Sequence, residues 1–318
     1  MPAYQSWGGW DINDAGWVAG LSTLDDGTNW YESPTIWVGN TPIDLSYVTT
    51  SAWGILDTWA TGINNLGLVV IGPDLYWRDC DIPSYVVVPK DNDGDGVPDT
   101  WFEDKNGDGL NDLLKLIAPP SGYNAQEGFW THIFEPRGIN DAGQIILNPW
   151  TGSPCRLTPD HADADGDGNP WYADANGDGF NDLMVELIGL GGAYSYAADI
   201  NVAGQVVGNS NNRAVVWNFA GETQTVTDLG LLSKSVKAMN AKAINDAGQI
   251  VGNAFFQKGE TAFLVYKGTM YDLATRLTNG AGWANLQASD INNQGCIIGY
   301  GDFGGVRQSF VAIPVTQP

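Results

Sequence analysis

Short apolar runs bounded by glycine, asparagine or aspartate recur along the whole chain. The clearest are Gln205-Val206-Val207-Gly208, Gln249-Ile250-Val251-Gly252 and Cys296-Ile297-Ile298-Gly299, with Leu68-Val69-Val70-Ile71 of the same kind. Runs this short, β-branched and closed by turn formers, predict strands rather than helices. No stretch approaches the ~18 apolar residues that would predict a membrane span.

One five-residue unit precedes these runs. It reads Ile12-Asn13-Asp14-Ala15-Gly16, Ile63-Asn64-Asn65-Leu66-Gly67, Ile139-Asn140-Asp141-Ala142-Gly143, Ile200-Asn201-Val202-Ala203-Gly204, Ile244-Asn245-Asp246-Ala247-Gly248 and Ile291-Asn292-Asn293-Gln294-Gly295. Each copy keeps Asn, and each keeps Gly three residues later. Asn and Asp side chains bond the backbone two residues on, and Gly accepts the positive φ that closes a hairpin through a bulge. Four residues before the Asn stands Ala60, Ala197, Ala241 or Ala288, with Gly9 and Pro136 in the other copies. Small residues there suit a strand crowded near a central axis.

Several copies continue with a third and a fourth strand. Thr261 to Tyr266 and Met270 to Leu273 are the clearest, beside Ala214 to Trp217 with Val226 to Leu229, and Thr35 to Val38 with Ile43 to Leu45. Four short strands per unit, joined by hairpins, are the pattern of a propeller blade. Successive repeat Asn residues are 51, 76, 61, 44 and 47 positions apart. With two acidic inserts set aside, six units of about 45 residues remain, within the range of a blade. The expectation is an all-β chain, a single six-bladed β-propeller domain over residues 1–318, with the inserts 91–112 and 163–182 as loops on adjacent blades. A repetitive β-sandwich or an open solenoid is the rival. The sixth unit stops after its third strand, Ser309 to Ile313, so residues around Ala3 to Gln5 are expected to supply the missing strand and close the ring.

The units resemble the HAF-type extracellular repeats, propeller-like bacterial units with the pattern Ala-x-x-x-Asn-x-x-Gly-Gln-Val-Val-Gly. The likeness covers most of the chain outside the inserts. It departs at the third strand, where the family's His-Ala-Phe becomes Thr261-Ala262-Phe263 or Arg213-Ala214-Val215. The resemblance implies secretion and a propeller, and it carries no active site to transfer.

Composition narrows the function. Among 318 residues, 37 are Asp or Glu and only 14 are Lys or Arg, a net charge of −23 that excludes a nucleic-acid partner. Much of that charge sits in the inserts. The first runs Asp91, Asp93, Asp95, Val97, Asp99 and then Asp104, Asn106, Asp108, Leu110, Asp112. The second runs Asp163, Asp165, Asp167, Asn169 and then Asp174, Asn176, Asp178, Phe180, Asp182. Oxygen ligands at positions 1, 3 and 5, Gly at 6 and a backbone carbonyl at 7 are what a calcium loop requires. Residues 91–112 hold eight acidic residues and one Lys, and residues 163–182 hold six and none. Such density is strongly repulsive unless cations neutralise it. The expected cofactor is Ca2+, about four ions, one per loop. The segments resemble thrombospondin type 3 or dockerin-type calcium repeats. Counting along the chain puts Trp171 where Asp99 stands in the first insert, a departure that weakens that loop. Asp174 falls at position 12 of the same loop and is a candidate to complete it, while Asp104 is a candidate to be shared between the tandem loops of the first insert.

The quieter residues add less. His132 and His161 are far apart, and no Ser or Cys sits in a nucleophile setting such as Gly-x-Ser-x-Gly. No catalytic residue is assigned. Cys80, Cys155 and Cys296 allow one disulfide at most and read as ordinary thiols. Trp7, Trp10, Trp17, Trp37, Trp77 and Trp217 are expected to pack between blades. Trp30, Trp101, Trp130, Trp150, Trp171 and Trp283 lie nearer loops, where exposed aromatics stack on sugars or on another subunit. The start of the chain has neither a basic region nor an apolar leader, which leaves a cytosolic protein or a mature secreted form. The sequence thus predicts a non-enzymatic extracellular calcium-binding structural or adhesive protein that self-associates into a matrix or filament. The alternatives are a calcium-dependent module for extracellular glycans and a propeller hydrolase.

Overall fold

The computed structural model describes residues 3–25, 30–45, 58–73, 83–107, 111–118, 123–124, 129–130, 134–149, 152–163, 165–192, 194–221 and 223–315. Its strands form six successive antiparallel sheets, four-stranded except for the last, and the fold class is that of a six-bladed β-propeller. Beyond strands and turns, the described residues hold one short 3-10 turn, Leu273–Arg276. No helix among them is long and apolar enough to cross a membrane.

The chain divides into two compact units, residues 1–151 with 155–186, and residues 152–154 with 187–318. The first unit holds three sheets. They are β1 Ala3–Ile12, β2 Val18–Asp25, β3 Trp30–Val38 and β4 Thr41–Asp44; then β5 Thr58–Ile63, β6 Val69–Pro73, β7 Ser84–Val87 and β8 Leu114–Ala118; then, after a small ladder of β9 Tyr123–Asn124 with β10 Phe129–Trp130, β11 Phe134–Ile139, β12 Ile145–Pro149, β13 Cys155–Leu157 and β14 Met184–Glu186. The second unit holds β15 Ser195–Ile200, β16 Val206–Ser210, β17 Arg213–Ala220 and β18 Thr223–Asp228; β19 Ala238–Ile244, β20 Ile250–Phe255, β21 Glu260–Tyr266 and β22 Thr269–Asp272; and β23 Trp283–Ile291, β24 Ile297–Phe303 and β25 Val306–Ala312.

The repeated unit is the hairpin between the first two strands of each sheet. In all six copies the Asn N–H donates to the carbonyl four residues on, and the Gly N–H donates back to the Asn carbonyl. The six glycines have φ between 72° and 79°, which the turn requires and a side chain resists. The Asn side chain does more than serve its own turn. Asn64 Oδ1 accepts from the N–H groups of Leu66 and Leu68, while its amide nitrogen donates to the carbonyl of Asn140 in the next sheet, at 3.0 Å. Asn13 donates likewise to Asn64, Asn201 to Asn245, and Asn245 to Asn292. Beside this ladder runs a second, in which Asp14 N–H donates to Asn65 Oδ1 and Asn65 N–H to Asp141 Oδ1, with Val202 to Asp246 and Asp246 to Asn293 in the other unit. The hairpin turns are therefore where side chains stitch neighbouring sheets of a unit together.

Between sheets lies the core. Successive strand residues point to opposite faces, so Val69 packs with the first sheet while Val70 packs with the third. Ile250 and Val251 divide in the same way between the fourth and sixth sheets. This two-sided burial is why the second strands read as unbroken apolar runs.

The edge of the sixth sheet departs from expectation. Ala3, Tyr4 and Gln5 pair with Asp25, Leu24 and Thr23, so they lengthen β1 within the first sheet and add no fourth strand to the sixth. The pairing with β2 continues through a bulge at Trp7, which keeps the added residues on the sheet they started from. Among the cysteines, Cys155 is buried, and burial, with the Glu186 charge beside it, pushes its thiol up to about 12, so it stays neutral. Cys296 is a free, half-buried thiol, and Cys80 lies outside the described residues.

Candidate metal centre

Both inserts join the third strand of a sheet to the fourth, β7 to β8 and β13 to β14, on neighbouring sheets of the first unit. Each is fastened by one tryptophan. Trp101 Nε1 donates to the carbonyl of Gly67 at 2.8 Å, and Trp171 Nε1 donates to Gly143 at 2.9 Å. Those glycines are the repeat glycines of the second and third sheets, so both lobes emerge beside equivalent turns. The two indoles are 2% and 6% exposed and belong to the cores on either side of the second sheet. Trp101 meets Trp17 edge-on at 5.1 Å. The expectation of loop tryptophans open to a ligand is therefore corrected for these two, which are structural pins.

The same pairing corrects the register read from the sequence. Trp171 is the counterpart of Trp101, not of Asp99; the second insert lacks two residues before its tryptophan. A second anchor, missed in the sequence, follows in each insert. Asn111 Oδ1 accepts from Glu103 and Leu113, and its amide donates to the carbonyl of Trp101. Asn181 Oδ1 accepts from Ala173 and Leu183, and its amide donates to Trp171 and to Ile117 of β8. Both are buried, at 3% and 5% exposure. The signal was present, since Asn-Asp ends both inserts at the same place.

With the ends held, the loops wind around their acidic side chains. Asp91 accepts from the N–H groups of Gly94 and Gly96, Asp93 from Asp95, and Asp95 from Val97. The bond from Gly96, joined by that from Gly94, holds the Asp91 carboxyl below the usual carboxylate range. Asp163 accepts from Gly168, Asp165 from Asp167, and Asp167 from Asn169. Asp174 accepts from Gly177 and Gly179, Asn176 from Asp178, and Asp178 from Phe180. In the remaining loop Asp104 accepts from Gly107; Asn106 precedes that glycine, and Asp108 and Leu110 lie outside the described residues. The residue at position 9 closes three of the loops, with Asp99 accepting from Asn92, Asp112 from Lys105, and Asp182 from Ala175.

Carboxylate oxygens of Asp91, Asp93 and Asp99 come within 4.8 Å of one another, and so do those of Asp163, Asp165 and Asp167. The third loop, which has no acidic residue at position 9, lies instead against a pocket of 290 Å³ lined by Asp160, Asp163, Asp165, Asn169, Tyr172 and Asp174. Asp174 is thus brought to the loop it was expected to complete. Asp160 also reaches the pocket from outside the motif. Burial raises the Tyr172 phenol, and the charges of Asp174, Asp178 and Asp182 raise it further. The donor sets are all oxygen, and the glycines at position 6 turn with φ of 88° at Gly96, 76° at Gly168 and 84° at Gly179. Such a set fits a hard divalent cation and does not fit zinc or copper. At the base of the first lobe Lys90 pairs with Glu103, as does Lys105 at 3.1 Å, and the Lys90 bond chiefly keeps the Glu103 carboxyl low.

The other candidates spread widely. Trp217 is fully buried and Trp17 nearly so, Trp37 and Trp283 are half-buried, and Trp10 is 51% exposed, against the expectation of burial between blades. His161 is exposed. His132, Trp77 and Trp150 lie outside the described residues, as do the side chains of Trp7, Trp30 and Trp130.

No family model and no curated protein matches the chain. Among solved structures it is similar to the extracellular domain of a one-component system from B. thetaiotaomicron, at 9% identity and a TM-score of 0.36, over 97% of this chain and 38% of that one. It is similar also to a point mutant of the NanB sialidase from Streptococcus pneumoniae, at 11% identity and a TM-score of 0.40, over 95% of this chain and 64% of that one. The chain spans less than two thirds of either, and likenesses of this size carry no argument about activity.

Proposed function

We propose that the chain is a non-enzymatic extracellular calcium-binding module with a structural or adhesive role, and that calcium-loaded copies associate with one another. The observation that carries this reading is the pair of acidic lobes, wound around grouped carboxylates and pinned to equivalent turns of neighbouring sheets. Calcium takes six to eight oxygens in flexible geometry, which suits a loop of carboxylates and carbonyls better than magnesium's octahedron does. Asp91, Asp93 and Asp99 would hold one ion and Asp163, Asp165, Asp167 and Asp174 another, with the carbonyls of Val97 and Asn169 beside them. The tandem loops would add two sites, through Asp104, Asn106, Asp108, Leu110 and Asp112, and through Asp174, Asn176, Asp178, Phe180 and Asp182. Extracellular calcium is concentrated enough to fill loops of modest affinity, and the resemblance to HAF-type and thrombospondin type 3 repeats supports the same location. A bound divalent cation lowers the repulsion within each lobe and leaves a rigid projecting surface.

The reading separates into two measurements. Terbium, a luminescent stand-in for calcium, should give sensitised emission through Tyr172 and Trp171, and calcium should displace it. Asp163→Asn with Asp165→Asn should remove that share of the signal while Asp91→Asn leaves it; unchanged emission in the double variant rejects the second lobe as a site. Particle mass by light scattering then tests association. Species well above 34 kDa that dissociate on chelation are expected, and a monomer in both conditions would sink the self-associating role while leaving the metal sites standing.

A further inference from the structure

Within each unit, neighbouring sheets meet through one repeated set of contacts. The second residue of the second strand shares a core with the repeat isoleucine of the following sheet: Ala19 with Ile63, Val70 with Ile139, Val207 with Ile244, and Val251 with Ile291. Opposite each, on the third strand, stands another apolar residue of the same core, Ile36, Val86, Val216 or Leu264. The repeat Asn adds a rung, its amide donated by Asn13, Asn64, Asn201 and Asn245 to the carbonyl of the next repeat Asn. Each sheet thus has a donor side, turned to the sheet that follows, and an acceptor side, turned to the one before.

At the sixth sheet the donor side is bare. Ile298, the counterpart of Val251, is 44% exposed, and Val311 opposite it on β25 is exposed too. Phe310 and Ala312, which alternate with Val311, pack the other way, into the core shared with the fifth sheet. The Asn292 amide turns back to its own Gln294. Asp290 is half used. Asp11, Asp199 and Asp290 each follow a bulge in a first strand, and one oxygen of each accepts from the next N–H along the chain. Asp11 and Asp199 give the other oxygen to Ile63 and Ile244 of the following sheet, at 2.8 and 2.7 Å, and Asp290 has no such donor among the described residues. Burial accordingly pushes its carboxyl up. The first sheet is bare on its acceptor side. Ile12 is 54% exposed, where Ile63, Ile139, Ile244 and Ile291 are at most 7%. The Asn13 carbonyl accepts from Gly16 in its own turn and from no Asn amide.

We propose that the sixth sheet of one copy docks on the first sheet of a second copy, with Ile298 and Val311 closing over Ile12 and the Asn292 amide reaching the Asn13 carbonyl. The inference names the surface for the association put forward above and rests on that reading. The occupant is another repeat and not an unrelated strand, because each bare group lacks the partner that the same position has inside the chain. Apolar surface left in water at both ends drives the contact. The two sides are different surfaces, so the contact is heterologous: each copy that joins offers a fresh bare sheet, and assembly runs on head to tail. A charge of −23 on every copy opposes this, and cations bound in the lobes relieve it.

Cross-linking in calcium buffer tests it. Ile12→Cys and Ile298→Cys are made in separate full-length chains, each also carrying Cys80→Ser and Cys296→Ser. A short bismaleimide should join the two chains into a dimer when they are mixed, and neither chain alone should give that band. With both substitutions on one chain, a ladder of multiples is expected. Ile298→Lys should return the particles seen by light scattering to 34 kDa, while Leu231→Lys, exposed between β18 and β19, leaves them large; circular dichroism checks each fold. Particles that form in calcium while the mixed chains stay unjoined would overturn this surface and leave the association standing. A monomer throughout would overturn both, and a cross-linked monomer from the double variant would overturn the second copy as occupant.

Discussion

Removing calcium should lower the melting temperature of the first unit by about 10–20 °C. A ligand held only by the folded state stabilises it by about 2.7 kcal/mol at a hundred times its dissociation constant, and one such site on each lobe doubles that. For a unit of this size, each kcal/mol moves the midpoint by about 2–4 °C. The effect reaches the core because the lobes are not appendages: Trp101 and Trp171 leave them to fill the spaces on either side of the second sheet. A slack lobe therefore loosens the packing around Ile63, Val70 and Leu157. Differential scanning calorimetry in calcium, in magnesium and in chelator makes the comparison. Calcium alone should raise the first unit's transition, and traces that coincide in all three buffers would remove the lobes from any part in stability.

Asn64→Ala is expected to cost about 3–5 kcal/mol, more than most single substitutions. The side chain, 4% exposed, satisfies three backbone groups at once: the N–H of Leu66, the N–H of Leu68 and the carbonyl of Asn140. Each buried group left without a partner costs about 1–3 kcal/mol, and partial access of water to Leu66 reduces the sum. Asn292 offers the internal contrast. It is exposed, and it accepts from Gln294 and Cys296 with its amide turned back to Gln294, so Asn292→Ala should cost only about 1–2 kcal/mol. Urea unfolding of both variants gives the comparison, and a loss below about 1 kcal/mol for Asn64→Ala would show that the ladder contributes little.

The repeats made the blades legible because both periods, the two-residue strand alternation and the recurring Asn-x-x-Gly turn, are written in side-chain chemistry. The strand pairs of Thr35 to Val38 with Ile43 to Leu45 and of Thr261 to Tyr266 with Met270 to Leu273 followed from that reading, and so did the acidic loops. What one repeat does to the next was not legible. The donation of Asn64 to Asn140 spans residues far apart in the chain, and the turn alone already explains why an Asn stands there. Likewise the small residues at Ala60 and Ala197 signalled crowding but not the bulge that follows them, since a bulge shows only when two strands are set side by side. The tryptophans were misplaced for a simpler reason. They stand between the two acidic loops of each insert, and nothing local to Trp101 reveals that its indole turns away from its own loop toward Gly67.

The ladder also bears on how such a chain can change length over generations. Every rung joins an amide of one repeat to a carbonyl of the following one, with the same atoms at each step. Duplicating or deleting a whole repeat, cut anywhere within it, restores a donor facing an acceptor. A fraction of a repeat does not, because it leaves a buried amide opposite a strand instead of a turn. The number of repeats is thus the quantity free to drift, while the spacing inside each is held, and the lobes, lying between third and fourth strands and away from the rungs, are segments that can be gained or lost without touching the count.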